Sequence, residues 1–199
     1  QGMIRTLQRF TPAGWFCIAV ILLLFGVALF APVLAPHDPM ETDPIRRLQS
    51  PAGYPLGCDQ LGQCIWSRLI HGARLSLMIG FAARFAALLI GLGIGLAAGY
   101  YGGWLDWVLM RTVDIFLAFP SLLLAIAISM VLGHGLTTVI LAIAIVGWAE
   151  TARIIRSAAM ELRSAEFVLA SRAMGASDIR IILTHILPNC LPLVTVIFA

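Results

Sequence analysis

Apolar and polar positions fall in long blocks along this chain rather than alternating residue by residue. Apolar runs occupy residues 12–35, 75–99, 107–132 and 136–149, and a fifth begins near Cys190. Such blocks, with few charges inside, predict helices that cross a bilayer, whose hydrocarbon core takes about 20 apolar residues to span. The second run carries Gly80, Gly91, Gly93, Gly95 and Gly99. Small residues in a membrane helix let a neighbouring backbone approach, so this run is expected to pack against other helices rather than face lipid. Pro120 removes one backbone donor and predicts a kink in the third run. The fifth run reaches only residue 199, short of a crossing, which reads as a chain cut short at its C-terminal end. The expected fold class is all-α, a polytopic membrane helical bundle.

The polar blocks orient this bundle. Residues 1–11 carry Arg5 and Arg9, and residues 151–189 carry Arg153, Arg156, Arg163, Arg172 and Arg180. Basic residues mark the cytoplasmic side. With both blocks inside, the N-terminus is cytoplasmic, residues 12–35 form the first span, and residues 36–70 form an extracytoplasmic loop. Residues 75–199 then form a core domain holding spans two to four, a cytoplasmic loop over 151–189 and the start of span five. The loop over 36–70, with Pro36, Pro39, Pro44, Pro51 and Pro55 among mixed charges, reads as irregular aqueous structure. A cleaved signal peptide is the rival reading of the first run, since Val33-Leu34-Ala35 resembles a cleavage site. The run exceeds the roughly 7–15 apolar residues of a signal core, and Pro36 would follow the cut.

Composition agrees and excludes some chemistry. Of 199 residues, 60% are hydrophobic and 12% charged, against roughly a quarter charged in soluble proteins. All basic residues are Arg, with no Lys, so no Walker A loop exists here to bind nucleotide phosphates, and the chain is not expected to be an enzyme or to bind a cofactor. A net charge of +3 beside membrane spans is topology information and implies no nucleic-acid partner. Arg111 and Asp114, three apart on a helix, are expected to form a structural ion pair, with Arg84 directed at the bundle interior. Cys58 and Cys64 lie in the exterior loop, where a disulfide is permitted; together with His71 they match no zinc spacing.

Residues 166–189 are too polar to span and too patterned for a linker. Ser164 is a plausible cap with Glu166 in a first helical turn, Gly175 permits a left-handed stop, and Ser177 with Asp178 can open a second helix. Pro188 either ends that helix or leads into span five. Val168, Leu169 and Met174 are expected to form an apolar knob ringed by Arg163 and Arg172. On the residues alone, docking into a groove on a soluble partner and resting on membrane lipid are equally open.

This stretch resembles the cytoplasmic "EAA" loop of ABC-importer permeases, whose pattern is Glu-Ala-Ala, three residues, Gly, nine residues, then Ile-x-Leu-Pro. Ala170, Gly175, Leu187 and Pro188 hold their places. Leu169 replaces Glu, Ser171 replaces the second Ala, and His185 replaces Ile. Those departures resemble the dipeptide, oligopeptide and nickel branch, which ends His-x-Leu-Pro-Asn as His185 to Asn189 do. Gly57, Asp59, Gly62, Ser67, Arg68, Gly72, Arg74, Ser76 and Leu77 match the branch's loop motif, and residues 110–126 match its third span.

The resemblance implies the second, "C"-type permease subunit of an ATP-driven importer in the bacterial inner membrane, of type I permease fold. The implied partners are a homologous permease, two cytoplasmic ATPases that use ATP-Mg, and an extracytoplasmic substrate-binding protein. It carries the ATPase-coupling role to Glu166, Ala170, Ser171, Gly175 and Pro188, with Met174 and Ala176 as contacts beside the bend. The substrate implied is a di- or oligopeptide, or nickel or another metal chelate. An ion-gradient-driven transporter would instead show acidic relays within its spans, and a membrane anchor subunit would explain none of these motifs.

Overall fold

A computed structural model describes residues 12–49, 51 and 53–198; the expected cytoplasmic tail over residues 1–11 lies outside the described residues. The described residues are helical, with one isolated antiparallel bridge among them between Cys58 and Cys64. It divides into two compact units, residues 1–78 and 79–199.

In the first unit, helix α1, Pro12–Leu29, covers most of the first apolar run. Pro32, which has no N–H to donate, sits in the first turn of a separate short helix α2, Ala31–Leu34, so the predicted span is broken at Phe30. The loop that follows is built from turns that aspartates close on themselves. Asp38 Oδ1 accepts the Met40 N–H at 2.8 Å, Asp43 Oδ1 the Ile45 N–H at 2.9 Å, and Asp59 Oδ1 those of Leu61 and Gln63 at 2.8 and 3.0 Å. Asp and Asn favour such self-closing turns because their side chains reach their own backbone two residues on. Gly62, at φ 76°, lets two of these turns meet, since a Cβ there would lie 1.8 Å from the Asp43 carbonyl oxygen. Asp59 also pairs with Arg68. The loop ends earlier than expected: helix α3, Ile65–Tyr101, runs 37 residues, so the motif residues Arg68, Gly72, Arg74 and Ser76 lie on its opening turns. The indole Nε1 of Trp66 donates to Leu34 O at 3.3 Å, and Ser67 Oγ accepts the His37 N–H at 3.2 Å.

The second unit holds the rest of α3 and its partners. Gly102 alone separates α3 from α4, Gly103–Ala118. Phe119 and Pro120 separate α4 from α5, Ser121–Leu132, and the two helices meet at 92°, a far sharper bend than a kink. Helix α6, Leu136–Arg163, carries the fourth apolar run 14 residues past its predicted end. Among the described residues, three helices are long and apolar enough to cross a membrane, Ile65–Tyr101, Leu136–Arg163 and Asp178–Phe198, with a fourth if the bent pair counts as one span.

The glycine stripe of α3 lies against α6. A Cβ on Gly91 would lie 2.7 Å from Trp148 O, on Gly95 2.6 Å from Ala152 O, and on Gly99 2.6 Å from Arg156 O. Four-residue spacing puts all three on one face, and the helices approach to backbone contact there. Gly80 and Gly93 have nothing within 4 Å and take no part in this packing.

Arg156 of α6 clasps Asp106 of α4, and Arg153 pairs with Asp114. The expected Arg111–Asp114 pair is therefore corrected. Arg111 enters no ion pair among the described residues, because α6 packs beside α4 and its guanidinium reaches Asp114 first. Arg84 donates to Ile197 O at 2.9 Å within the bundle, as expected.

Candidate functional site

The segment between α6 and the last long helix is shorter than the predicted loop over 151–189. Residues 151–163 continue α6, and only Ser164 and Ala165 separate it from α7, Glu166–Ala173. Ser164 does not cap α7. Its hydroxyl donates back to Glu161 O at 2.9 Å and closes α6 instead. Glu166 does sit in the first turn of α7, as expected.

Gly175 supplies the bend at φ 82°. The Ala176 N–H donates to Ser171 O at 3.1 Å and the Gly175 N–H to Arg172 O at 3.0 Å, the crossed pair of a Schellman stop, which satisfies carbonyls that the helix end would leave bare. Ser177 stands at the N-cap of α8, Asp178–Ile181, without a side-chain cap bond. A π-helical turn, Ile182–Ile186, joins α8 to α9, Leu187–Phe198, giving one continuous 21-residue helix, Asp178–Phe198. Pro188 thus leads into the fifth span rather than ending a helix. The wider π turn just before it absorbs the missing donor and the crowding of the ring.

The two faces of this segment differ. Val168 on α7 and Ile181 on α8 are fully buried, in one apolar cluster with Leu96, Tyr100, Ile155, Ala159 and Ile186. The apolar knob is therefore not Val168, Leu169 and Met174 as expected. Val168 faces the core, while Phe167, Leu169, Met174 and Ile179 stand outward, Met174 at 80% exposure. Ala170 is exposed, Ser171 buried and Ala176 half-buried.

Polar contacts tie the segment to the end of α3. Tyr100 Oη donates to Asp178 Oδ1 at 2.6 Å and accepts from Arg172 Nη2 at 3.0 Å, with the Arg172 guanidinium 5.5 Å from the ring centre. Arg163 Nη1 donates to Tyr100 O at 3.2 Å. Ser171 Oγ and His185 Nε2 share a hydrogen bond at 2.9 Å that ties α7 to the π turn. Sequence reasoning gave Tyr100 no place in the site and read Asp178 and His185 only as a helix start and a motif position, with no partners. Tyr100 sits in an aromatic cluster that reads as an interface marker, and no spacing rule pairs it with a residue 78 positions away.

Elsewhere, Cys58 and Cys64, which their loop permits to pair, are buried free thiols in the structure and face each other across the isolated bridge. Burial and the neighbouring Cys64 push the Cys58 thiol up from its ordinary value. Residues of α5 and α6 around His134 line an apolar cleft of about 600 Å³.

A family model described as the binding-protein-dependent transport system inner membrane component matches residues 90–199. Another, described as the N-terminal TM domain of oligopeptide transport permease C, matches residues 9–51. The chain is 47% identical over 166 residues to a dipeptide transport system permease protein of Alkalihalophilus pseudofirmus, covering 83% of this chain and 55% of that protein. It is 39% identical over 175 residues to an oligopeptide transport system permease protein of Bacillus subtilis, covering 87% and 57%. A putative peptide transport system permease protein of Brucella suis is 40% identical over 201 residues, covering 98% and 68%. The chain spans little more than half the length of the first two relatives. With one family model over more than half of its residues, and helices that cross, bend and pack by their glycines as described, the chain belongs to the binding-protein-dependent inner-membrane permeases, in the dipeptide and oligopeptide branch.

Proposed function

We propose that this chain forms part of the translocation path of an ATP-driven peptide importer and receives the ATPase stroke through the α7–Gly175–α8 segment. One observation carries the reading: Val168 and Ile181 share a single buried cluster with Leu96 and Tyr100 of α3 and Ile155 and Ala159 of α6, while Met174, Leu169 and Phe167 on the same segment stay exposed. A groove that grips the outward side chains would move the inward ones, and a close-packed interior transmits such a displacement.

The partners follow from this reading. A homologous permease completes the path, two cytoplasmic ATPases bind and hydrolyse ATP-Mg, and an extracytoplasmic protein delivers substrate. Ala170, Met174 and Gly175 face the ATPase, Ser171 and Ala176 hold the bend from within, and Pro188 marks the passage into the fifth span. The chain itself binds no nucleotide. The substrate proposed is a di- or oligopeptide, in keeping with the dipeptide and oligopeptide relatives; a nickel or metal chelate is the alternative that the wider branch allows.

The test is Gly175→Pro in the assembled importer, reconstituted in vesicles. Proline holds φ near −65°, against 82° here, so the bend cannot form. Uptake is expected to fall to background while the subunit still inserts and assembles. Uptake and substrate-stimulated ATP hydrolysis at the unaltered rates would overturn the assignment.

A further inference from the structure

The exterior loop contains a pair of thiols that the transport mechanism does not use. Cys58 and Cys64 flank a tight hairpin of five residues, and each is more than nine-tenths buried, at 4% and 3% exposure. Two backbone bonds bracket them. The Asp59 N–H donates to Gln63 O at 3.0 Å, and the Ile65 N–H donates to Gly57 O at 3.2 Å. With hydrogen bonds on both sides and none exchanged between them, the two cysteines form a non-hydrogen-bonded antiparallel pair. That is the closer of the two pair types, with Cα atoms about 4.5 Å apart, inside the roughly 4.4–6.8 Å that a disulfide requires.

We propose that Cys58 and Cys64 form a disulfide in the working protein, closing the base of the hairpin that carries Asp59. The hairpin is already held in the bonded geometry, with Asp59 Oδ1 accepting from Leu61 and Gln63 and the Gln63 side chain donating to Met40 O at 3.4 Å. Oxidation therefore asks for little backbone movement. The oxidant is a disulfide of a protein or small thiol. One cysteine thiolate attacks it, forming a mixed disulfide and releasing one thiol. The second cysteine thiolate then attacks the sulfur of the first, forming the Cys58–Cys64 bond and releasing the second thiol. Two electrons pass to the oxidant, and the two cysteine protons end on the released thiols. Cys17 and Cys190 are free thiols as well, Cys17 exposed and Cys190 buried. The proposal rests on the outward placement of this loop, where such oxidants persist.

The experiment uses the full-length protein in its membrane, equilibrated with glutathione buffers of graded potential, acid-quenched, alkylated, digested and mapped by mass. A peptide linked through Cys58 and Cys64 is expected, with Cys17 and Cys190 recovered as thiols. The linking equilibrium should be at least roughly tenfold more favourable in the folded protein than in the same chain denatured in detergent, because the fold brings the ends together in advance. Equal or poorer linking in the folded protein, or glutathione adducts in place of the internal bond, overturns the proposal. Cys64→Ser should abolish the linked peptide. The loop's side is read separately by placing a thiol at the 95%-exposed Ile45. Ile45→Cys should label with an impermeant maleimide from outside intact cells; labelling only after permeabilisation overturns the oxidising setting without touching the pairing geometry.

Discussion

Two irregular segments of this permease subunit are held in opposite ways. The proline-rich loop before α3 is held mainly by aspartates that accept backbone N–H groups from their own turns, and its large apolar residues Met40, Ile45 and Leu48 stand in the open. The segment between α6 and α8 is held by an apolar interior, with Val168 and Ile181 at zero exposure among residues of two long helices. The difference teaches what each can do. Local polar bonds let the first loop be reshaped turn by turn, whereas displacement of the second pulls on side chains packed among those of α3 and α6.

The largest effect that bears on this contrast is a charge placed on each side of it. Val168→Asp buries an unpaired carboxylate and should destabilise the solubilised complex by about 4 kcal/mol or more, whereas Ile45→Asp should stay within about 0.5 kcal/mol. Thermal unfolding of both variants in detergent reads the difference, and equal melting temperatures would break the comparison. A smaller effect is expected at Tyr100. Tyr100→Phe removes the hydroxyl shared by Asp178 and Arg172, costing about 1–3 kcal/mol. Substrate-stimulated hydrolysis should fall with uptake while the basal rate persists; stimulation and uptake at the unaltered rates would remove Tyr100 from the coupling route.

The smallest is a pH effect confined to the loop before α3. The Gln63 N–H first, then the Leu61 N–H and Arg68, hold the Asp59 carboxyl below the usual aspartate value. A lowered folded-state value means that the stabilisation is fully present above the unfolded value, about 3.9, and is lost as pH falls through the lower folded one. Exchange of the Gln63 amide, corrected for its intrinsic rate, should lose protection in that acidic window, and Asp59→Asn should flatten the profile. Protection that persists unchanged to the most acidic pH would show that the loop is held by something other than these bonds.

The apolar helices were legible because they depend on runs of apolar residues, and the bend at Gly175 because a positive φ has a residue signature. The glycine-rich second run announced its own packing, though not which of its glycines would touch α6. What escaped reading were choices made between elements. Asp114 lies three residues after Arg111 in the sequence, and only the placement of α6 gives it to Arg153 instead. Val168 and Leu169 are adjacent and equally apolar, and only the rotation of α7 decides which is buried. Ser164 can serve the helix on either side of it, and it serves the earlier one. Pro188 is a common helix stop whose ring is accommodated here by a π turn that no residue type announces.

The right angle between α4 and α5 carries a consequence for solvent. At Phe119 and Pro120 the backbone leaves the helical ladder, so carbonyls at the end of one helix and amides at the start of the next lack intrahelical partners. Hydrocarbon offers neither donors nor acceptors, and bare backbone persists at membrane depth only against protein or beside water. Wherever this elbow meets the hydrocarbon layer, lipid chains are excluded from it and water or protein must cover it.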